Sequence, residues 1–139
     1  MTRSKIKEFN KKASEYNHAF YKLGCEEFDR ANFKNAVKAF SESLDYWPED
    51  PKAWLALGNC YDELNHPVKA EECYRKALSL ESETNKDACY YNLGNSLLDQ
   101  SKFDEAIMFY KLASAQSKPY NLAQINMERA KNGISTKNS

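Results

Sequence analysis

Apolar residues recur at helical spacing in the middle of the chain. Trp54, Leu57 and Tyr61 are three and four residues apart, a spacing that places side chains on one face of an α-helix. Gly58 lies within this stripe, where a glycine costs about 1 kcal/mol relative to alanine unless it allows a close approach. Ala70 supplies a second small residue on the following helix. The pattern predicts two antiparallel helices whose backbones approach each other at Gly58 and Ala70.

The small residues return at nearly constant intervals along the chain. The marker positions are Gly24 and Ala36, then Gly58 and Ala70, then Gly94 and Ala106. Both columns show a first interval of 34 residues and a second of 36. Two additional residues therefore lengthen a loop around positions 82–86. Three helix pairs are predicted, over residues 17–50, 51–84 and 87–120.

The two ends of the chain differ from these units. Ile6 and Phe9 lie on a strongly basic background, and residues 1–16 are predicted to form a basic helical extension that continues into the first unit. A separate frayed arm is the alternative. Residues 121–132 are predicted to form a capping helix with a polar outer face, and residues 133–139 a disordered tail.

A repeat pattern, W-x2-L-G-x2-Y followed by A-x3-F with a period of 34 residues, is met by Trp54, Leu57, Gly58, Tyr61, Ala70, Tyr74 and Ala77. On these residues the chain resembles the tetratricopeptide repeat family. The resemblance implies an all-α, right-handed superhelical stack of antiparallel helix pairs, an α-solenoid of about seven helices. It also implies a concave groove, lined by the first helix of each pair, that binds peptides or partner proteins.

The charge of the chain is balanced overall but unevenly distributed. Twenty Lys and Arg residues match 20 Asp and Glu residues, so the formal net charge is zero. Residues 1–12 carry +4 and residues 118–139 carry +3, which leaves −7 on residues 13–117. The total gives no indication of a nucleic-acid partner. The distribution indicates an acidic body with basic ends.

The cysteines are isolated from one another in the sequence, at Cys25, Cys60, Cys73 and Cys89. No C-x2-C pair is present, so reduced thiols are expected, with no metal site and no cofactor. The sequence has neither a secretory h-region near Met1 nor an 18-residue apolar span. These features predict a cytoplasmic protein without an integral membrane segment.

Catalysis is not indicated by the sequence. The two histidines, His18 and His66, belong to different units, and no phosphate loop, HExxH motif or Ser-His-Asp order occurs. The chain is therefore predicted not to be an enzyme.

Residues one place after each glycine, about four before it and four to five after it are predicted to face the groove. The predicted groove residues are Tyr21, Cys25, Asp29, Lys52, Leu55, Asn59, Asp62, Glu63, Tyr91, Asn92, Asn95, Asp99 and Arg129. Leu122 and Ile125 could extend the same surface.

The predicted groove has a mixed chemical character. Asn59 and Asn95 could bond a peptide backbone, and Tyr21 and Tyr91 could act as flat anchors. The four carboxylates among these residues would form an acidic edge. The alternative is that these are ordinary solvated helix residues.

One binding mode of the family can be tested directly against the sequence. Chaperone-adaptor domains of this kind grip a C-terminal carboxylate with basic residues and asparagines. The matching places here hold Tyr21, Cys25, Ala56, Ala88 and Asn92, none of which is positively charged. The sequence therefore argues against this clamp and favours a neutral or basic ligand segment.

Two functional hypotheses follow from the sequence. The first is an adaptor or co-chaperone-like scaffold that holds a peptide or protein segment in its groove. The second is structural self-association, in which basic ends meet acidic bodies head to tail. A weaker third hypothesis, membrane-surface binding by the basic extension, is limited by the small apolar face of Ile6 and Phe9.

Overall fold

A computed structural model describes residues 2–80, 86–113 and 120–138 of the chain. These residues form seven helices and no strand: α1 (Arg3–Asp29), α2 (Phe33–Tyr46), α3 (Pro51–Glu63), α4 (Pro67–Leu80), α5 (Lys86–Asp99), α6 (Phe103–Ala113) and α7 (Tyr120–Asn138). The predicted all-α fold is confirmed.

Each helix packs on its neighbours in sequence, with α1 against α2, α3 against α4, and α5 against α6. The first helices of the pairs also touch one another, α1 with α3 and α3 with α5, and α5 touches α7. This arrangement is the predicted stack of antiparallel pairs, and it places α1, α3, α5 and α7 side by side.

The turns inside the three pairs share one backbone conformation. Ala31, Asn65 and Ser101 have φ values of 61°, 60° and 59°, and their spacing repeats the 34- and 36-residue intervals. Between the first two pairs, Asp50 caps α3 by accepting from the Lys52 amide at 3.1 Å, and Pro51 begins the helix. The cap agrees with the sequence expectation.

The glycine column makes room for aromatic rings. A Cβ atom placed on Gly58 would lie 2.5 Å from Cε1 of Tyr74, and the same holds for Gly24 with Phe40 at 2.5 Å. The partner of Gly58 is therefore the Tyr74 ring, whereas the sequence suggested Ala70. Ala70 is fully buried nearby, and the bulk of the contact comes from the ring that the missing side chain admits.

The helix α1 is a single rod that includes the predicted basic extension. Asn17 is buried and donates its amide to the Ser43 carbonyl oxygen at 3.0 Å and to Ser43 Oγ at 2.9 Å. At the end of α2, Tyr46 stacks on Tyr16 with ring centroids 5.1 Å apart. The part of α1 before Tyr16 therefore extends past the end of α2.

The C-terminal end corrects one prediction. α7 extends from Tyr120 to Asn138, so residues 133–138 are helical instead of a disordered tail. Gly133 permits this because a Cβ there would lie 2.5 Å from Cε1 of Phe103, and the glycine thus packs against α6. The predicted two-residue insertion falls largely on residues 81–85, outside the described residues.

Candidate partner-binding groove

The four side-by-side helices α1, α3, α5 and α7 enclose two adjoining concave cavities. The larger, of about 440 Å³, is lined by Phe28, Asn59, Asp62, Glu63, Asn92, Asn95, Leu98, Asp99, Asn126 and Arg129. The smaller, of about 190 Å³, is lined by Tyr21, Cys25, Phe28, Asp29, Phe40, Ala56 and Asn59. Since Phe28 and Asn59 belong to both, the cavities form one groove.

A row of asparagine side chains crosses the larger cavity, and it is built from the same contact twice. Asn92 Nδ2 donates to Asn59 Oδ1 at 3.2 Å, and Asn126 Nδ2 donates to Asn95 Oδ1 at 2.9 Å. Because Asn92 and Asn126 are 34 residues apart, the link between neighbouring helices repeats with the architecture. We call Asn59, Asn92, Asn95 and Asn126 the amide row.

Tyrosines of the second helices hold the amide row from below. The Tyr110 hydroxyl donates to Asn95 Oδ1 at 2.5 Å, and the Tyr74 hydroxyl lies 2.9 Å from Asn59 Oδ1. Both rings are buried against a glycine, and burial raises the pKa of each hydroxyl. The hydroxyls therefore remain protonated donors across the physiological pH range.

These bonds orient the two central amides. Oδ1 of Asn59 and of Asn95 is occupied by a tyrosine and by the next asparagine. Nδ2 of Asn59 and of Asn95 donates to none of the described residues, although both side chains line the cavity. Each amide thus presents hydrogen-bond donors to the groove.

Asp62 shares the Tyr74 hydroxyl with Asn59. Tyr74 donates to Asp62 Oδ2, and Ser96 Oγ donates to Asp62 Oδ1 at 3.2 Å. Burial raises the pKa of the Asp62 carboxyl, and these hydrogen bonds only partly oppose it. Because a hydroxyl carries one hydrogen, Asp62 and Asn59 compete for the same donor.

The end of the groove at α1 has a different character. Cys25 and Phe40 stand where the second unit has Asn59 and Tyr74, so the first unit lacks the amide-to-tyrosine bond. Burial raises the pKa of Tyr21 to about 12 and also raises the pKa of the Cys25 thiol. Both groups are therefore neutral at physiological pH, and this end is mainly apolar.

An acidic column runs along one edge of the groove. Asp29, Glu63 and Asp99 each follow the glycine of their helix by five residues, and all three are exposed. None takes part in an ion pair with a described residue. By contrast, Glu71 outside the groove pairs with Arg75 at 2.8 Å and with Lys102 at 3.3 Å.

Ten of the predicted groove residues line one of the two cavities. They are Tyr21, Cys25, Asp29, Asn59, Asp62, Glu63, Asn92, Asn95, Asp99 and Arg129. The other three, Lys52, Leu55 and Tyr91, line neither. Leu55 packs against the core, and the Tyr91 hydroxyl accepts from Asn126 at 3.4 Å. The binding role of these residues remains a proposal.

Asn126 is the groove residue that the sequence prediction omitted. It connects Asn95 to Arg129, whose Nη1 donates to Asn126 Oδ1 at 3.2 Å. Its position exactly one 34-residue period after Asn92 is the signal that could have identified it.

Two searches of the described residues bear on other kinds of site. Among those residues, no group of three or more His, Cys, Asp or Glu side chains is arranged to hold a metal ion. None of the described helices combines the length and apolar character needed to cross a bilayer.

The fold and groove define a helical-repeat protein with a concave surface. Models of the tetratricopeptide repeat match this chain twice, at residues 51–83 and 88–116. The chain belongs to the tetratricopeptide repeat family. The sequence-based recognition of the family is confirmed.

Several known proteins are similar to this chain. The human Protein O-mannosyl-transferase TMTC3 is 29% identical over 108 residues, which are 68% of this chain and 12% of that protein. The chain thus spans about an eighth of the length of this relative.

Two solved structures share the fold at low sequence identity. The TPR2B domain of yeast Sti1 in its pHsp70 complex is 18% identical, with a TM-score of 0.79 over 86% of this chain and 98% of that one. The first TPR of Spaghetti (RPAP3), bound to the HSP90 peptide SRMEEVD, is 16% identical, with a TM-score of 0.77 over 88% and 95%. At these identities the likeness establishes the fold alone.

Proposed function

We propose that this protein is a protein-interaction scaffold, of the adaptor or co-chaperone kind, that binds a peptide or partner-protein segment in the concave groove. The observation that carries the proposal is the amide row. Asn59 and Asn95 are fixed through Oδ1, and their Nδ2 groups have no partner among the described residues. Donors held in this way can bond the carbonyl oxygens of a bound segment with little additional ordering.

The charge of the groove favours a neutral or basic segment. The acidic column and Asp62 face it, and Arg129 is the cation among the residues that line the larger cavity. Arg129 is itself hydrogen-bonded to Asn126. An acidic peptide such as the SRMEEVD segment bound by the RPAP3 domain would meet repulsion along this edge.

The proposal includes neither catalysis nor a cofactor. The groove polar groups are committed to amide, hydroxyl and carboxylate contacts that suit recognition. A reducing, cytoplasmic setting is proposed because Cys25, Cys60, Cys73 and Cys89 are all free thiols.

The test is affinity capture followed by quantitative mass spectrometry. The variant Asn59→Ala with Asn95→Ala is compared with the wild type and with Lys38→Ala/Glu42→Ala, a control pair on exposed positions of α2. Partners held in the groove should be lost from the first variant and retained by the control. Unchanged partners in a folded asparagine variant would exclude the proposed groove function.

Self-association is the second candidate, and the shape of α1 favours it. Ile6 and Phe9 are 43% and 65% exposed on the basic part of α1 that extends past α2. A basic end of one molecule could meet the acidic body of the next, which gives a head-to-tail oligomer.

Sedimentation measures the mass of the full chain and of a chain that lacks residues 1–12, at low and high salt. The self-association hypothesis expects oligomers of the full chain that dissociate with salt or with truncation. A monomeric full chain at every salt concentration would exclude it.

A further inference from the structure

The groove has two chemically different edges, and each repeats in register with the glycine column. The acidic column of Asp29, Glu63 and Asp99 lies five residues after the glycines. On the other side, Tyr21, Leu55 and Tyr91 each precede the glycine of their helix by three residues, and all three are half-buried. We call these three residues the apolar column.

The amide row lies between the two columns. Asn59 and Asn95 follow their glycines by one residue and lie between the positions of the apolar and acidic columns along α3 and α5. The columns are eight residues apart on each helix, which corresponds to about 12 Å at a rise of 1.5 Å per residue. A bound segment therefore meets apolar side chains on one side, amide donors beneath it and carboxylates on the other side.

The apolar column continues onto α7. Ile125 lies 34 residues after Tyr91 and is 51% exposed, and Leu122 beside it is 54% exposed. Four helices thus contribute to the apolar side, and three contribute to the acidic side.

Resting on the proposed function, we propose that the occupant is an extended segment of a partner protein in which apolar residues alternate with lysine or arginine. Successive side chains of an extended chain point to opposite sides, so alternation sends apolar residues to one column and cations to the other. The backbone then lies over Asn59 and Asn95, whose Nδ2 groups reach its carbonyl oxygens. Charge complementarity fixes which edge of the segment faces the acidic column.

Two labelled peptides test the assignment, both containing five leucines and five lysines. In the first the two residue types alternate, and in the second five leucines precede five lysines. Fluorescence anisotropy with the full chain at low salt should give an affinity about tenfold higher for the alternating peptide. Equal affinities for the two peptides would overturn the proposal.

Variants assign the edges. Asp29→Asn, Glu63→Gln and Asp99→Asn combined should weaken binding of the alternating peptide about tenfold and flatten its salt dependence. Leu55→Ser with Tyr91→Ser should weaken binding while the salt dependence stays. Glu42→Gln with Asp45→Asn, a charge-matched control on exposed α2 positions, should change neither. An unchanged affinity in the acidic-column variant would overturn the proposal.

The remaining outcomes separate this inference from the proposed function. If Asn59→Ala with Asn95→Ala abolishes binding of both peptides equally, the groove function stands and the alternating ligand is wrong. If a peptide of residues 3–16 of this chain outcompetes the alternating peptide, the occupant is a second copy and the assignment to a partner protein is overturned.

Discussion

Asn59 Oδ1 lies 2.9 Å from the hydroxyl oxygen of Tyr74, whose ring occupies the space left open by Gly58. One aromatic residue of α4 therefore connects the packing of a helix pair to the surface of the groove. The same relation recurs between Asn95, Tyr110 and Gly94, and packing and recognition are coupled in both units.

The first prediction concerns Gly58. Gly58→Ala places a Cβ atom 2.5 Å from Cε1 of Tyr74, so we expect a loss of about 1–3 kcal/mol in the free energy of unfolding despite the better helix propensity of alanine. Urea denaturation measures it. The loss should shrink in a Tyr74→Leu background, which removes the opposing ring, and an equal loss in both backgrounds would contradict the explanation.

A second prediction tests how the amide row is oriented. Tyr110→Phe removes the hydroxyl that donates to Asn95 and preserves the ring that packs on Gly94. We expect a loss of about 1 kcal/mol in stability and a weaker affinity for any groove ligand, since Asn95 loses one of the bonds that fix it. Calorimetric titration checks the affinity. Tyr46→Phe, on an exposed hydroxyl outside the groove, should leave the affinity unchanged.

The buried contact that joins α1 to α2 gives a third prediction. Asn17→Ala removes both donors to Ser43 and leaves the buried Ser43 Oγ with fewer partners. We expect a loss of about 1–3 kcal/mol in the free energy of unfolding. Asn10→Ala, on an exposed position of the same helix, should stay within about 0.5 kcal/mol of wild type. Similar losses in the two variants would show that Asn17 has no special structural role.

The turn geometry predicts a stabilising substitution. Ala31 adopts φ 61°, whereas the second unit places Asn65 at the same point of its turn with φ 60°. Asparagine tolerates this left-handed conformation better than alanine does, so Ala31→Asn should raise the free energy of unfolding by about 0.5–1 kcal/mol. Thermal denaturation checks the direction. A lower midpoint than wild type would contradict it.

The fifth prediction concerns pH. Because burial raises the folded-state pKa of Asp62, the folded state binds more protons than the unfolded state between the two pKa values, and stability falls as pH rises through that window. Asp62→Asn removes this effect, and its amide can donate to Tyr74 so that the Tyr74 hydroxyl is free to donate to Asn59. The variant should therefore gain more stability relative to wild type at pH 7 than at pH 4.

Glu71 supplies the opposite control for the pH measurement. Burial works against its carboxylate, but hydrogen bonds from Arg75, Gln100 and Lys102 outweigh burial and lower its pKa. Its contribution is therefore present at pH 7 and is lost as pH falls through the folded-state pKa. Glu71→Gln should cost more stability at pH 7 than at acidic pH. If the Asp62 and Glu71 variants shift in the same direction with pH, the assignment of the two carboxyls is wrong.

The columns of small and aromatic residues were sufficient to predict the helix pairs. Gly24, Gly58 and Gly94 mark first helices because helical periodicity and close packing leave a regular trace in the sequence. The same periodicity placed Asn59 and Asn95 in the groove, since a fixed offset from the glycine is a fixed direction on the helix.

Other features depend on contacts that periodicity does not encode. The bond from Tyr110 to Asn95 joins residues 15 positions apart, and only the packing of α6 on α5 brings them together. Gly133 suggested a chain ending because glycine disfavours helices, yet its contact with Phe103 extends α7 to Asn138. Lys52 and Leu55 were placed on the groove by offset alone, but neither lines the described cavities.

The most direct test of the central claim is NMR observation of the asparagine side-chain NH₂ signals during titration with a captured partner segment or the alternating peptide. The account predicts saturable shifts at Asn59 and Asn95, with smaller shifts at Asn92 and Asn126, and none at Asn10 or Asn35 outside the groove. Shifts confined to residues of α2, α4 and α6, with the amide row unchanged at saturation, would contradict it.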